Sequence, residues 1–463
     1  MFTPDELKTL RDAFRGPLLG PEDDGYDASR QVYNAMIDRH PRLIARCSDV
    51  ADVMHGVGFA RDHGLPLAVR GGAHNGPGLG VCDDGLVLDL GGMRGVRVDP
   101  GAGTVRVDGG CTWGEVDHAT SAFGLATPSG FISTTGVGGL TLGGGIGYLS
   151  RTYGLTVDNL LSVDIVLADG RFLTASADEN EDLFWAVRGG GGNFGVATSF
   201  EFRLHPVDVV HGGPMLWPFD RARELMRTWH DYIIGAPESI NGWFGLVTVP
   251  PAPPFPEEHH LQKMCAVVWC DTSPTPEAEA RFASIRREFG APAIDFAGPI
   301  PWTTLQSLFD PLYPPGLHWY WKADFFDTLS DEVIDLTVDH GSRLPTMHST
   351  MHLYPINGAV HRVGPSETAF RFRNANFAQV IVGVDPEPAN TDRMIAWARD
   401  YWNALHPFAA GGAYLNMIMD EGPDPVKAAY GGNYDRLVAV KDKYDPENLF
   451  RINQNILPSS MVA

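Results

Sequence analysis

The sequence predicts an α+β protein with at least two lobes, and three observations support this fold class. At 463 residues, the chain exceeds the size at which a single hydrophobic core stops growing. Residues 42–205 alternate short apolar strands with glycine-rich turns and brief helices. Residues 207–415 are richer in aromatic residues and proline, and segments such as 317–326 alternate along the chain, which is typical of an antiparallel sheet with one covered face.

Local patterns place individual elements in the first part of the chain. Five apolar segments predict strands, namely 66–70, 85–90, 103–110, 160–170 and 195–204. Helices are predicted at 49–64 and 112–124. The second helix begins at Thr112, and Glu115 follows three residues later, which is the spacing of a capping box. The tail, from about residue 425 to 458, returns to helix and loop.

Charge, cysteine content and hydropathy exclude several classes of protein. Acidic side chains outnumber basic ones by 57 to 35, and the resulting net charge of −22 repels a phosphate backbone, so no nucleic acid partner is expected. Five cysteines without CxxC spacing predict neither a disulfide scaffold nor a metal site. The N-terminus lacks an apolar signal region, and no apolar run approaches the roughly 18–20 residues that span a membrane. We therefore expect a cytoplasmic protein without a membrane partner.

Two glycine-rich segments stand out. The first, 69–76 (VRGGAHNG), follows a predicted strand, and paired glycines let backbone amides approach a phosphate closely. The second, 136–147 (GVGGLTLGGGIG), has seven glycines in twelve residues, too many for a stable helix or a packed strand. Neither segment leads into an amphipathic helix followed by an acidic strand end, which disfavours a Rossmann site, and no GK[ST] supports a P-loop.

With these segments in view, the sequence resembles the vanillyl-alcohol oxidase / p-cresol methylhydroxylase superfamily of FAD enzymes, in its berberine-bridge-enzyme-like branch. The matching segments, in the family's order, are 70–75, 136–159, 182–196 and 429–456. The middle third of the chain matches only loosely. The resemblance implies a two-part FAD-binding domain and a substrate domain with an antiparallel sheet flanked by helices. The expected boundaries are 1–206 and 425–463 for the FAD-binding domain and 207–424 for the substrate domain.

The resemblance also implies how FAD is held. The histidine of the RGGxH motif, here His74, joins the flavin 8α-methyl carbon in this family. Many relatives add a second link through a cysteine, but Ile132 occupies that position here, so a single covalent link is expected. Thr135 corresponds to a position that faces the flavin and influences oxygen access. The other cofactor-lining positions implied by the resemblance are Arg70, Gly71, Gly72, Ala73, Asn75, Thr134, Gly138, Gly139, Gly143, Tyr148, Asn159, Val196 and Asn453.

The catalytic base is less well indicated. The family often carries a tyrosine base in a Y-x-N-Y pattern, whereas this chain has Tyr414-Leu415-Asn416-Met417. A thioether cannot accept a proton, so the candidate catalytic residues are Tyr414 and Asn416. Alternatively, another group in the pocket acts as the base, or the substrate needs no strong base. Further candidates in the substrate domain are His318, Tyr320, Lys322, His348, His352 and His361.

Strand geometry narrows these candidates only in part. Alternate residues of a strand share a face, so His318, Tyr320 and Lys322 lie opposite Trp319 and Trp321. The pattern does not decide which of the two faces is directed at the flavin. His348 and His352 share a face as well, but without a third ligand they predict no metal site.

The resemblance implies an FAD-linked oxidase. Such an enzyme transfers hydride from a small alcohol, sugar, amine or secondary-metabolite intermediate to flavin, and O2 then accepts the electrons and yields hydrogen peroxide. Two alternatives remain open. One is a dehydrogenase with a non-oxygen acceptor, and the other is a catalytically lapsed flavin-binding protein, which only Met417 supports. The pattern predicts neither the substrate nor the oligomeric state.

Overall fold

The computed structural model describes residues 4–461 and has the α+β fold that the sequence predicts. Its strands form sheets of four, five and eight strands and one two-stranded pair. Within the described range, no helix is both long and apolar enough to cross a lipid bilayer.

The first sheet has the order β1-β2-β4-β3 and is parallel except for β1. Its strands are β1 (Leu18–Leu19), β2 (Leu43–Arg46), β3 (Leu67–Arg70) and β4 (Leu86–Asp89). The accompanying helices are α1 (Pro4–Ala13), α2 (Tyr26–Arg30) and α3 (Val50–Asp62). The Asp49 side chain accepts hydrogen bonds from the N–H groups of Ala51 and Asp52, so α3 begins where the sequence predicts. Strand β3 leads directly into the glycine-rich segment that starts at Gly71.

The second sheet is antiparallel, with the order β5-β6-β10-β8-β9. Its strands are β5 (Val96–Asp99), β6 (Thr104–Asp108), β8 (Leu160–Val166), β9 (Phe172–Ser176) and β10 (Val196–Arg203), while β7 (Leu125–Ala126) pairs with β11 (His205–Pro206). The helices here are α4 (Trp113–Ser121), α5 (Val137–Leu142), α6 (Ser150–Tyr153) and α7 (Glu181–Val187). The Glu115 carboxylate accepts a hydrogen bond from the Thr112 N–H at 2.8 Å, which confirms the predicted capping box.

The third sheet is antiparallel, with the order β15-β12-β14-β13-β18-β19-β17, and β16 pairs with β12. Its strands are β12 (Val209–Pro218), β13 (Ile240–Thr248), β14 (Lys263–Asp271), β15 (Ile294–Asp295), β16 (Gly298–Pro301), β17 (His318–Phe326), β18 (Thr350–Pro355) and β19 (Phe377–Asp385). The remaining helices are α8 (Ala222–Gly235), α9 (Thr275–Glu288), α10 (Trp302–Gln306), α11 (Asp331–Gly341), α12 (Thr391–Leu405), α13 (Pro423–Tyr430) and α14 (Tyr434–Tyr444). The predicted alternation over 317–326 therefore corresponds to a real strand, β17.

The two faces of the third sheet have different partners. On β13, Phe244 and Leu246 pack into one core with side chains of α8, α9, α11 and α12. Their neighbour Trp243 points the opposite way and packs with Tyr148 and Leu149 of the N-terminal part. This alternation follows from the period of two along a strand. One face of the sheet therefore stabilises the lobe, and the other face is directed at the glycine-rich segments.

The C-terminal tail is fastened to the N-terminal part through a buried ion pair. Lys441 on α14 lies 2.6 Å from Asp445, both side chains are fully buried, and the ammonium also donates to the carbonyl of Asn193 at 2.8 Å. Asp445 in turn accepts hydrogen bonds from the N–H groups of Leu449 and Phe450. These bonds satisfy both charges without water and fasten the tail beside residues 189–193 (GGGGN).

Candidate active site

A cavity of about 400 Å³ lies between the glycine-rich segments and one face of the third sheet. Residues 71–75, 135–143 and 414–417 contribute to one side of it, and β13, β17 and β18 contribute to the other. None of the described residues that line it is Asp, Glu, Lys or Arg. The cavity is therefore uncharged, apart from histidine and tyrosine side chains that can change protonation.

The loop after β3 supplies backbone donors. Among the described residues, the N–H groups of residues 71–75 have no hydrogen-bond acceptor, although all five residues line the cavity. Ala73 adopts a left-handed conformation with φ 57°, which is uncommon for a residue with a side chain and often marks a functional loop. A run of unpaired N–H groups at a cavity wall suits an anionic oxygen ligand such as phosphate.

His74 follows directly in this loop. Its Nε2 lies 3.1 Å from the Thr134 hydroxyl, and its ring stacks on Tyr33 with the ring centroids 4.0 Å apart. Burial lowers the pKa of His74 to about 4, so the imidazole is neutral near pH 7. The side chain therefore offers a neutral, oriented nitrogen to the cavity.

The second glycine-rich segment differs from the sequence expectation, because residues 137–142 form the short helix α5. Tertiary contacts override the low helix propensity of glycine here. Val137 is buried and donates its N–H to the carbonyl of Cys111, and the Thr141 hydroxyl donates to the carbonyl of Val137. Gly138 and Gly139 lie in its first turns and line the cavity.

Close backbone approach explains several of the glycines. An added Cβ on Gly72 would lie only 2.5 Å from the Cα of Gly136, and one on Gly143 would lie 2.6 Å from the Asn416 side-chain carbon Cγ. Larger residues at these positions would push the two loops apart or displace the tail. The glycines therefore set the spacing between the loops that line the cavity.

The two candidate catalytic residues of the tail meet the second glycine-rich segment. The Tyr414 phenol oxygen accepts hydrogen bonds from the N–H groups of Gly145 at 3.2 Å and Ile146 at 3.3 Å, and from the Asn416 amide at 3.0 Å. Burial raises the pKa of Tyr414, while these three donors favour its anion. Both residues line the cavity, and so does Met417.

The structure decides which face of β17 is directed at the cavity. Trp319 and Trp321 line it, whereas their neighbours lie on the far side. There, His318 bonds to Thr391, Tyr320 bonds to Arg399, and Lys322 pairs with Glu421. The His361 ring bonds to the carbonyl of Ala375 and does not line the cavity. These four candidates therefore have structural partners instead of cavity positions.

Of the histidine candidates, His348 and His352 do line the cavity. His352 Nδ1 lies 2.7 Å from the hydroxyl of Tyr354, which shares its strand face. Burial lowers the pKa of His352 to about 3 and raises that of Tyr354 well above its usual value, so both groups are neutral. Within the described range, no group of three His, Cys, Asp or Glu side chains is arranged to hold a metal ion.

Several predicted cofactor positions lie beside the cavity instead of in its lining. Arg70 donates to the carbonyl of Ser29, and Tyr148 packs in the core around Trp243. Asn159 donates to the carbonyls of Tyr153 and Leu155 and bonds to His205. Val196 is buried in the core of the first sheet, and Thr134 reaches the site through its contact with His74. The predicted positions that line the cavity are Gly71, Gly72, Ala73, His74, Asn75, Thr135, Gly138, Gly139, Gly143 and Asn453.

Sequence reasoning did not single out two aromatic residues of the site. Tyr354 could have been found, because it lies two residues after His352, and alternate residues of a strand share a face. Tyr33, which stacks on His74, lies in residues 1–40, for which the sequence predicts only a partly polar helical lead-in. Only the fold brings it to the cavity.

Comparisons with known proteins agree with this arrangement. Residues 41–176 match the family model "FAD binding domain", and residues 413–457 match "Berberine and berberine like". An FAD-linked oxidoreductase of Dictyostelium discoideum is 33% identical over 92% of this chain and 91% of that protein. (R)-6-Hydroxynicotine oxidase of Paenarthrobacter nicotinovorans is 40% identical over 42% of each chain.

Solved structures share the fold over nearly the whole chain. 6-Hydroxy-D-nicotine oxidase of Arthrobacter nicotinovorans superposes with a TM-score of 0.84 at 26% identity, covering 96% of this chain and 98% of that one. Berberine bridge enzyme of Eschscholzia californica has a TM-score of 0.87 at 20% identity, covering 99% and 100%. The second likeness concerns the fold alone.

The site also fits FAD on its own geometry. The unpaired N–H groups of residues 71–75 suit the pyrophosphate, and the glycine contacts between Gly72 and Gly136 keep the loops close enough to enclose a flat cofactor. Apolar side chains of the sheet suit a ring system. Given these features and the full-length relative, the chain belongs to the berberine-bridge-enzyme-like family of FAD-linked oxidoreductases.

Proposed function

We propose that the protein is an oxidase that removes a hydride from a small organic substrate and passes the electrons to O2, yielding hydrogen peroxide. Bound FAD supplies the hydride acceptor. The observation that carries the proposal is the position of His74 in an uncharged cavity faced by aromatic side chains of the third sheet. The apolar walls of such a cavity can orient the substrate for hydride transfer.

The proposal includes one covalent bond, in which a His74 ring nitrogen would replace one hydrogen of the flavin 8α methyl group. The imidazole N–H and the methyl C–H would each lose a proton, and the two electrons released would pass through the flavin ring to O2. A neutral imidazole is the nucleophilic form, and the lowered pKa of about 4 keeps His74 in that form. The Thr134 hydroxyl lies 3.1 Å from Nε2, and we therefore assign the bond to Nδ1. A second, cysteinyl link is not proposed, because Ile132 lines the cavity and all five cysteines are buried outside its lining.

Tyr414 is the proposed acceptor of the substrate proton, and Asn416 positions it. The three N–H groups around the phenol oxygen lower the free energy of the anion and offset part of the cost of burial, which is the larger effect and keeps the pKa of Tyr414 raised. This arrangement compensates for Met417, which cannot take a proton. Thr135 lines the same cavity, and its small side chain leaves room for O2.

The test begins with the spectrum of acid-precipitated protein. Wild-type protein should give a yellow pellet, and His74→Ala should release its flavin into the supernatant. His348→Ala, which removes another cavity histidine, is the matched control and should keep the colour. A colourless wild-type pellet would refute the covalent bond.

The acceptor is tested separately, by following flavin reoxidation in air after reduction. Rapid reoxidation with stoichiometric peroxide is expected of an oxidase. Slow reoxidation that a dye accelerates would instead assign a dehydrogenase. Failure of every candidate substrate to bleach the flavin without oxygen would indicate a lapsed enzyme.

A further inference from the structure

The cavity continues across the third sheet, away from the glycine-rich segments. Strand register places His352 on β18 opposite Gly245 on β13, Gly245 opposite Ala266 on β14, and Ala266 opposite Leu216 on β12. These three strand spacings span roughly 14 Å. Ala266 and Leu216 both line the cavity. The cavity therefore extends about 14 Å along the sheet from His352.

Trp243 and Ala266 line the start of this extension. An added Cβ on Gly245 would lie 3.0 Å from the Trp243 ring and 3.4 Å from the His352 ring, so these two rings cover the glycine. Beyond the rings, Ala266 contributes only a methyl group, which leaves room between His352 and Leu216.

The far end of the cavity is apolar. We name it the apolar arm and define it by five cavity-lining residues, namely Leu216, Val247, Val249, Phe255 and Ala266. They form one hydrophobic cluster together with Met264 and Ile294. Phe255 comes from the proline-rich loop that follows β13. No residue of the glycine-rich segments contributes to the apolar arm. The apolar arm therefore lies on the side of the cavity formed by the third sheet, where we place the substrate.

The near end offers a polar contact. His352 and Tyr354 form a neutral pair at 2.7 Å, beside the flat surfaces of Trp243 and Phe131. The Phe131 and Tyr354 rings stack with their centroids 4.2 Å apart. This end suits an aromatic ring carrying a hydroxyl, which can exchange a hydrogen bond with the pair.

We propose that the substrate is a neutral aromatic hydroxy compound with an aliphatic chain, whose ring lies at His352 and Tyr354 and whose chain fills the apolar arm. This proposal rests on the proposed function of the same cavity. The uncharged lining opposes a charged substrate, because no described lining residue could pair with it. An oligosaccharide would leave most of its hydroxyls without partners in the apolar arm.

The experiment measures binding to the holoprotein by tryptophan fluorescence and by flavin difference spectra. The probes are 4-alkoxybenzyl alcohols with methyl, hexyl or decyl chains, with xylobiose as the sugar probe. Each buried methylene contributes at most about a fourfold gain in affinity. We expect the hexyl probe to bind at least about tenfold more tightly than the methyl probe, and xylobiose to bind more weakly than either.

Variants place the effect in the apolar arm. Ala266→Phe should fill it and bring the hexyl-to-methyl affinity ratio close to one, and Leu216→Ala should reduce the ratio less. Ala293→Phe adds the same ring at an exposed position beside β12 and should keep the wild-type ratio. Thermal unfolding of each variant shows whether it is folded.

The outcomes separate this proposal from the proposed function. Three results would each overturn the assignment of an aliphatic chain to the apolar arm, even if the protein oxidises another alcohol. They are equal affinities along the alkyl series, a hexyl-to-methyl affinity ratio that Ala266→Phe leaves unchanged, and tighter binding of xylobiose than of the alkyl probes. Chain-dependent binding that is lost in Ala266→Phe supports the assignment, even if no probe bleaches the flavin, because binding is measured without turnover.

Discussion

Replacing Gly72 by alanine should loosen the contact between the two glycine-rich segments. The new methyl carbon would lie 2.5 Å from the Cα of Gly136 and closer still to its amide nitrogen, whereas real contacts of this kind are longer than 3.0 Å. Since the obstructing atoms are backbone, the loops must separate. Overpacking of this kind costs about 1–3 kcal/mol of unfolding free energy. The shift also displaces the N–H groups of residues 71–75, so the variant should retain less flavin.

Gly139→Ala is the matched control, because an added Cβ there has no heavy atom within 4 Å. Its unfolding free energy should stay unchanged or rise by up to about 1 kcal/mol, since alanine favours the helix α5. Urea unfolding of the apoproteins, followed by tryptophan fluorescence, gives the stabilities, and the ratio of flavin to protein absorbance gives the cofactor content. Equal stability of Gly72→Ala and Gly139→Ala would refute a rigid contact between the segments.

Three further perturbations follow from buried polar groups. The unfolding free energy should fall as the pH drops from about 6.5 towards about 3, because the unfolded chain protonates His352 while the folded protein keeps it neutral. Urea unfolding measured across this pH range should show a shallower fall for His352→Gln than for the wild type. Lys441→Met should cost about 3–5 kcal/mol in the same assay, because it leaves the Asp445 carboxylate buried without its cation. Thr134→Val should slow covalent flavin attachment, measured as flavin left in the acid supernatant during reconstitution, because the His74 ring loses its hydrogen bond.

Each of these has a result that would contradict it. A pH profile of His352→Gln as steep as that of the wild type would mean that this histidine takes up its proton in the folded state. A Lys441→Met variant with wild-type stability would show that water reaches Asp445. Identical rates of covalent flavin attachment in Thr134→Val and the wild type would show that the Thr134 hydroxyl does not orient the His74 ring.

Local sequence patterns predicted those parts of the fold that depend on neighbouring residues. Strand β3, the helix after Asp49 and the capping box at Thr112 follow from short-range hydrogen bonding and side-chain periodicity. The orientation of β17 did not follow. Both of its faces are largely buried, so the alternation of Trp319 and Trp321 with their neighbours says which residues share a face but not which lobe that face meets.

The glycine-rich segments also combine features that the sequence predicts with features that depend on contacts between distant segments. Their composition predicts close backbone approach, and in the structure both segments come close to each other and line the cavity. It wrongly excluded a helix at residues 137–142, because buried Val137 and its bond to Cys111 supply stability that propensity omits. The partners of Asn159, including His205, depend on chain segments that meet only in the folded protein.

The two unlike faces of the third sheet affect how this enzyme can change over generations. Along the central strands, side chains of the helix-packed core alternate with side chains of the opposite face, several of which line the cavity. A mutation at Ala266 or Val247 alters which ligands fit the cavity. Val267 and Leu246, one position away, pack in the helix-covered core and stabilise the fold. Substrate selectivity can therefore change through single amino-acid substitutions without loss of stability.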